Sequence, residues 1–349
     1  LPFHEFHSKS NITTVFIYRL NYNQLCMKKT KILKRVRVKS PDPRKYLRLH
    51  RAEYGQKFTN KKINWDKFYP DIQSLVNRMA SFLGVNDNNL IIGAGAESVI
   101  KDIFFYHSTN FKNKKILIFE PNYYMYEHYA KLLRYKISKH NLLDEHSYYL
   151  SSKKIIEIIK KDKINLLSLV LPSAPIEKNI KKSELLKIMK HCLKHKVFVV
   201  IDEVYKNFKN KDNISLIKKY PNLIIIKSFS KLSGYPGIRF GIGLLNKKIF
   251  QTINSFRLSI EISSNTAEKV MYLIKNFSII KKNENEIKKA SMYFIKFLNS
   301  ENYKYFNKSI NSVSFFCKNL NEKKKLVIEF KKKDIIANYN YKCSNLLIN

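Results

Sequence analysis

Two stretches decide the fold of this chain: Val197-Phe198-Val199-Val200-Ile201-Asp202-Glu203-Val204-Tyr205, and Asn222 to Gly243, which reads NLIIIKSFSKLSGYPGIRFGIG. Val197 to Ile201 is an unbroken apolar run. Such a run reads as a strand buried on both faces of a parallel sheet. Leu223 to Ile226 is a second. Asp202 ends the first run. Lys231 follows the second, after Lys227-Ser228-Phe229-Ser230, and Arg239 lies eight residues further on, past two glycines. Charged side chains rarely sit at the ends of buried strands without a partner. A carboxylate, an amine and a guanidinium in this order suit pyridoxal 5'-phosphate. The amine forms the Schiff base, the carboxylate keeps the pyridinium nitrogen protonated, and the guanidinium pairs with the phosphate.

DEVY at 202–205, SFSK at 228–231 and GYPGIRFG at 234–241 match a known pattern in chain order and in lysine-to-arginine spacing. Together they resemble the signature of the class I/II aminotransferases, the fold-type-I pyridoxal-phosphate enzymes, and within them the histidinol-phosphate aminotransferase-like group. The resemblance spans roughly residues 45 to 320. It implies an α/β fold: a mostly parallel seven-stranded sheet flanked by helices (the PLP-dependent transferase fold), with a smaller α+β domain. Strands alternating with helices along the chain argue independently for a parallel sheet. Expected boundaries are an N-terminal arm at 1–44, part of the small domain at 45–75, the large cofactor-binding domain at 76–246 and the rest of the small domain at 247–349.

Other stretches extend the resemblance. Gly93-Ala94-Gly95-Ala96-Glu97-Ser98 enters an apolar helix, and a glycine turn at a helix N-terminus offers bare N–H groups to an anion. It is similar to the family's GxGxxE turn, which implies that Gly95, Ala96 and Glu97 bind the cofactor phosphate. Of only eight glycines, six are Gly93, Gly95, Gly234, Gly237, Gly241 and Gly243, concentrated in two candidate phosphate turns. Pro121 to Tyr126 looks like the family's P-x-Y-x-M-Y, which places Tyr123 over the pyridine ring. The resemblance also implies that Tyr205 binds the phenolic oxygen, that Ser228 and Ser230 lie beside the phosphate, and that Tyr69 of Tyr69-Pro70-Asp71 reaches the phosphate of a partner subunit. A homodimer follows from that last point. Three departures stand out. Ala174 occupies the position of the family asparagine, Arg51-Ala52-Glu53 lacks an asparagine, and no arginine follows Arg257 to match the family's terminal arginine.

At 349 residues and 44% hydrophobic content the chain can bury a sizeable core. Its formal net charge of +39 is almost all lysine, scattered among Asn and Ile. That pattern reads as solvated faces rather than a dedicated nucleic-acid surface, although it favours anionic substrates. Cys26, Cys192, Cys317 and Cys343 form no C-x-x-C pair, so a reducing, cytoplasmic setting is expected. No apolar run reaches membrane-spanning length. Met27-Lys28-Lys29 reads as an alternative start, so residues 1–26 need not be native. His191 and His195 lie one turn apart without a third ligand, and no metal is expected. Ser183 is the expected N-cap of a helix over 183–195, with Leu185, Leu186, Ile188, Met189, Cys192 and Leu193 on its apolar face. Further helices are expected over Thr266–Ile280 and Glu284–Leu298, and a strand at Val313–Phe316.

The expected function is pyridoxal-phosphate-dependent transfer of an amino group between an amino acid or phosphorylated amine and a keto compound. Lys231, Asp202 and Tyr123 carry the catalysis. Two alternatives stand beside it: decarboxylation of a phosphorylated amino acid by the same cofactor, and a catalytically degenerate basic binding protein. The first differs only in which bond at the alpha carbon breaks. The second draws on the missing asparagine and arginine and is opposed by the intact Asp202, Lys231 and Arg239.

Overall fold

The computed structural model describes residues 70–142, 149–174, 176–306, 313–333 and 346–348. Helix α1 (Ile72–Leu83) opens them. The Asp71 side chain accepts from the Ser74 N–H at its start, and Gly84 closes it in the left-handed conformation. There follow β1 (Leu90–Gly93), α2 (Ala96–Asn110), β2 (Lys115–Glu120), α3 (Met125–Leu132), β3 (Lys136–Asn141), α4 (Ser152–Asp162), β4 (Leu166–Val170), α5 (Lys182–Lys194), β5 (Phe198–Asp202), the single turn α6 (Leu216–Lys219), β6 (Leu223–Ser228), β7 (Gly241–Leu245) and α7 (Lys247–Asn254). The C-terminal part adds α8 (Ser264–Lys275), α9 (Ser278–Ser300), β8 (Lys304–Phe306), β9 (Ser314–Phe316), α10 (Leu320–Lys332) and β10 (Leu346–Ile348).

The main sheet has seven strands in the order β1-β7-β6-β5-β4-β2-β3. β7 runs antiparallel to both its neighbours; the pairs from β6 across to β3 are parallel. This is the mostly parallel seven-stranded sheet expected from the sequence. Its two faces carry separate apolar layers, and the pleat assigns residues to them by parity. Phe198, Val200, Ile224 and Ile226 pack on one face with Tyr126. Val199, Ile201, Leu223 and Ile225 pack on the other with Leu185 and Met189. Asp202 and Ser228 continue the first set and Lys227 the second. That alternation, fixed by the sequence, separates the polar groups at the strand ends. A second, antiparallel sheet orders β10-β9-β8 and builds a small core of Leu298, Val313, Phe315 and Cys317.

Several local expectations are corrected. Lys181, not Ser183, is the N-cap of α5, and it makes no side-chain cap bond. Leu185, Ile188, Met189 and Cys192 are buried on α5 as expected, but Leu186 and Leu193 are exposed, because they fall outside the stripe that meets the sheet. The helix expected over Thr266–Ile280 breaks at Asn276-Phe277, and its last residues begin α9, which runs on through Glu284 without interruption. Gly241 and Gly243 lie in strand β7 rather than in a phosphate turn. Among the described residues no helix is long and apolar enough to cross a membrane. Nor is any group of three or more His, Cys, Asp or Glu side chains placed to hold a metal.

Candidate active site

Asp202 leaves β5 with its side chain buried, only 3% of the residue being exposed. One carboxylate oxygen accepts from the Tyr126 hydroxyl at 2.8 Å and the other from the Val204 N–H at 3.1 Å. Both donors are neutral. Burial raises the Asp202 carboxyl, and although the two hydrogen bonds and the nearby Lys231 ammonium act in the opposite sense, the net effect pushes it up to about 6. Lys231 also stands over the Tyr205 ring, with Nζ 5.8 Å from its centroid. Burial, and then the charge of Asp202, raises the Tyr205 phenol well above its ordinary range, so it stays a donor. Asp202, Lys231 and Tyr205 therefore share one neighbourhood.

A second neighbourhood is built around the start of α2. Arg239 adopts φ 56°, a left-handed conformation that costs a non-glycine residue free energy. From there its guanidinium donates to the Ala94 carbonyl at 3.2 Å. It crosses directly over Gly95, where a Cβ would stand 2.7 Å from Nη2. Gly95 itself has φ 85°. The Ser228 hydroxyl donates to the Phe240 carbonyl at 2.9 Å and accepts from the Ser230 N–H at 3.1 Å; the two serine hydroxyls lie 2.9 Å apart. Arg239 and the uncapped N–H groups at the start of α2 thus form a cradle of donors, with Ser228 and Ser230 beside it through the carbonyl of the neighbouring Phe240.

β7 is what lets this cradle close. A Cβ at Gly241 would meet the backbone of Gly95 and Ala96 at 2.4 Å, with nothing flexible to yield. Gly241→Ala is therefore expected to destabilise the cofactor-free fold by about 1–3 kcal/mol, the range for overpacking. Urea unfolding would measure it. A variant as stable as the parent would mean that β7 and the turn are not in contact.

Tyr123 belongs to the second neighbourhood. Its hydroxyl donates to Glu97 at 3.2 Å, and burial together with Glu97 raises its phenol, while Arg239 acts in the opposite sense. The residue as a whole is 39% exposed. Ala174 is half-buried in the loop after β4. Buried Ser173 pins that loop, donating its N–H to the Lys178 carbonyl and accepting the Lys178 N–H at its hydroxyl, both at 2.8 Å. Tyr69, Arg51, Ala52 and Glu53 lie outside the described residues, as does Pro175.

Two features were missed by the sequence reading. Tyr126 is the first; its signal was present in the last letter of the Pro121–Tyr126 motif, which was used only to place Tyr123. The second is the ion pair of Lys227 with Glu203, at 2.8 Å with both side chains at most 1% exposed. Lys206 at 3.0 Å and the Asn213 amide at 2.7 Å complete the shell of Glu203. Burial alone would raise the Glu203 carboxyl, but Lys227 and then Lys206 hold it below its ordinary value. Alternation along β6 was the available signal, since Lys227 cannot share a face with Ser228.

A seven-stranded sheet in this order, with these groups gathered at its strand ends, defines the fold of the pyridoxal-phosphate-dependent transferases. The chain belongs to the aminotransferase class I and II family, whose model matches residues 17–343. A histidinol-phosphate aminotransferase from Clostridium novyi is 26% identical over 257 residues, 72% of this chain and 69% of that protein. The chain spans 54% to 72% of the length of the curated relatives it matches. The crystal structure of the histidinol-phosphate aminotransferase from Clostridium acetobutylicum is similar with a TM-score of 0.70 at 25% identity, over 81% of this chain and 85% of that one. The L-threonine-O-3-phosphate decarboxylase from Porphyromonas gingivalis shares the fold, with a TM-score of 0.68 at 16% identity over 86% of this chain and 93% of its own.

Proposed function

We propose that the protein is a pyridoxal-phosphate-dependent aminotransferase, passing an amino group between an amino acid or phosphorylated amine and a keto compound. The observation that carries this reading is the buried Asp202 carboxylate, hydrogen-bonded to neutral donors only, together with the cradle of donors around Arg239 and the start of α2. A buried charge is costly unless it is paired. A ligand with a cationic ring at one end and a phosphate at the other would repay that cost at both ends. Pyridoxal phosphate fits this donor set.

When bound, the cofactor supplies an aldehyde that condenses with amines and a ring that withdraws electrons from the alpha carbon. Asp202 would hold the proton on the ring nitrogen. Lys231 Nζ would bond the aldehyde and, once displaced, carry the proton that leaves and returns at carbon. Tyr205 would donate to the phenolic oxygen, and Tyr123 would cover the ring face, a contact worth about 1 kcal/mol. Ser228, Ser230, Arg239 and the turn Gly95-Ala96-Glu97 would hold the phosphate. The proposal extends to a cytoplasmic homodimer in which Tyr69 reaches the partner's cofactor, with the large domain at 76–246 and the small domain made from 45–75 and 247–349.

The likeness to a phosphothreonine decarboxylase supports a second reading, in which the same groups serve loss of carbon dioxide. Purified protein supplied with pyridoxal phosphate is expected to acquire a visible absorption band that a carbonyl-trapping amine removes. It should then consume a phosphorylated amino compound only when a keto acid is present. Carbon dioxide release without a keto acid would select the decarboxylase. No band at all would leave a basic binding protein. Because the excess of lysine favours anionic ligands, turnover should be far better for phosphorylated amines than for neutral amino acids; efficient use of neutral amino acids alone would overturn that preference.

A further inference from the structure

Tyr126 has a place that the reading above leaves unused. It sits in the first turn of α3 and is 1% exposed, its ring packed against Phe104 with centroids 6.4 Å apart. A buried phenol needs a partner for its O–H. It finds Asp202 Oδ2 at 2.8 Å, across 76 residues of chain. Burial, and then Asp202, raises the Tyr126 phenol far above its ordinary range, so the hydroxyl keeps its proton. It cannot reverse its role and become the acceptor of an ionised pair.

We propose that Tyr126 is a positioning residue that fixes the Asp202 carboxylate and keeps it ionised. The Val204 N–H fixes one oxygen from the backbone, and Tyr126 fixes the other from a separate element. With two donors in place the carboxylate cannot rotate, and each oxygen keeps lone-pair capacity for one further partner. A donor to the charged form also favours that form. The other charged and titratable groups acting on Asp202 are Glu203, which opposes ionisation, and Lys231, which favours it; Tyr205 feels the same carboxylate. Lys231 is the group that chemistry would occupy, so Tyr126 is the support that stays constant. The purpose of a charged Asp202 rests on the pyridoxal-phosphate reading; the Tyr126–Asp202 contact does not.

Tyr126→Phe tests the proposal, because it removes one oxygen and leaves the ring against Phe104. In cofactor-free protein, the carbonyl stretch of protonated Asp202 can be titrated by infrared spectroscopy and assigned by its loss in Asp202→Asn. Tyr126→Phe should raise the midpoint by about one to two pH units, the worth of a hydrogen bond to a charged group. A ring-fluorinated tyrosine at the same position, a stronger donor of nearly the same shape, should lower it. A second readout compares affinity for pyridoxal phosphate with affinity for a carbocyclic analogue that has no ring nitrogen. Tyr126→Phe should lose about tenfold for the pyridine ligand, the equivalent of one pH unit, and nothing for the analogue. An unchanged infrared midpoint in both variants, or equal losses for the two ligands, would overturn the proposal. If wild-type protein binds neither ligand, the cofactor reading fails, and the infrared midpoint still decides what Tyr126 does to Asp202.

Discussion

Lys231→Ala is expected to abolish both turnover and the borohydride-reducible bond to the cofactor, while the protein stays folded. A positioned proton-transfer group alone is worth about 10²–10⁴-fold in rate, and here the covalent step would go with it. Two lysines lie close in sequence, Lys227 and Lys231, and the structure separates them physically. Lys227 points to the opposite face of β6 from Ser228 and is spent on Glu203 at 2.8 Å. Lys231 lies past the strand end, near Asp202 and over the Tyr205 ring. The two alanine variants should therefore fail differently. Lys231 is only half-buried, so its loss should cost little stability. Lys227→Ala leaves the Glu203 carboxylate buried without its main partner, which costs up to about 3–5 kcal/mol, less whatever Lys206 and Asn213 retain. Peptide mapping after borohydride reduction should place the label on Lys231. A label on Lys227 would overturn the assignment.

The readable part of this chain was the part where a local rule and the global fold agree. Val197–Ile201 and Leu223–Ile226 are central strands, fully buried, and announce themselves by apolar runs. β3 carries Lys, Ser, His and Asn; it lies at one edge of the sheet with every residue at least partly exposed, and so offers no such signal. β7 was hidden by its glycines, which are there because Ile91, Val99 and the Gly95–Ala96 backbone approach too closely for a Cβ. Nothing local to Gly241-Ile242-Gly243 separates a strand pressed against a helix from a turn. The candidate site divides in the same way. Asp202, Lys231 and Arg239 were visible as charges at strand ends. Tyr126 and the Glu203–Lys227 pair depend on contacts between distant segments, and among 22 tyrosines and a large excess of lysine a single one carries no mark of its partner.

Asp202→Asn is expected to keep the phosphate end of the site and lose most of the catalysis, and it should also make the cofactor-free protein more stable at neutral pH. The stability part follows from linkage. Asp202 has an ordinary value of 3.8, and in the fold it is pushed up to about 6 by burial. Between those values the folded state holds a proton that the unfolded state has released. Stability contributed by this group therefore falls as pH rises from about 4 to about 6, and above that the ionised carboxylate is a standing cost. A shift of that size corresponds to up to about 3 kcal/mol. Asparagine has no charge to bury and can still accept from Tyr126 or the Val204 N–H. The melting temperature of Asp202→Asn should then exceed that of wild type at pH 7–8, with the gap closing below about pH 4. Saturation with pyridoxal phosphate should reverse the order, because the charged ring nitrogen would become the missing partner of the carboxylate and of nothing in the variant. The turnover loss has the same origin, since a neutral amide cannot keep that nitrogen protonated. If the two proteins melt alike at every pH with and without the cofactor, and turn over alike, then Asp202 is a structural residue, and the chemistry assigned to this strand end belongs elsewhere.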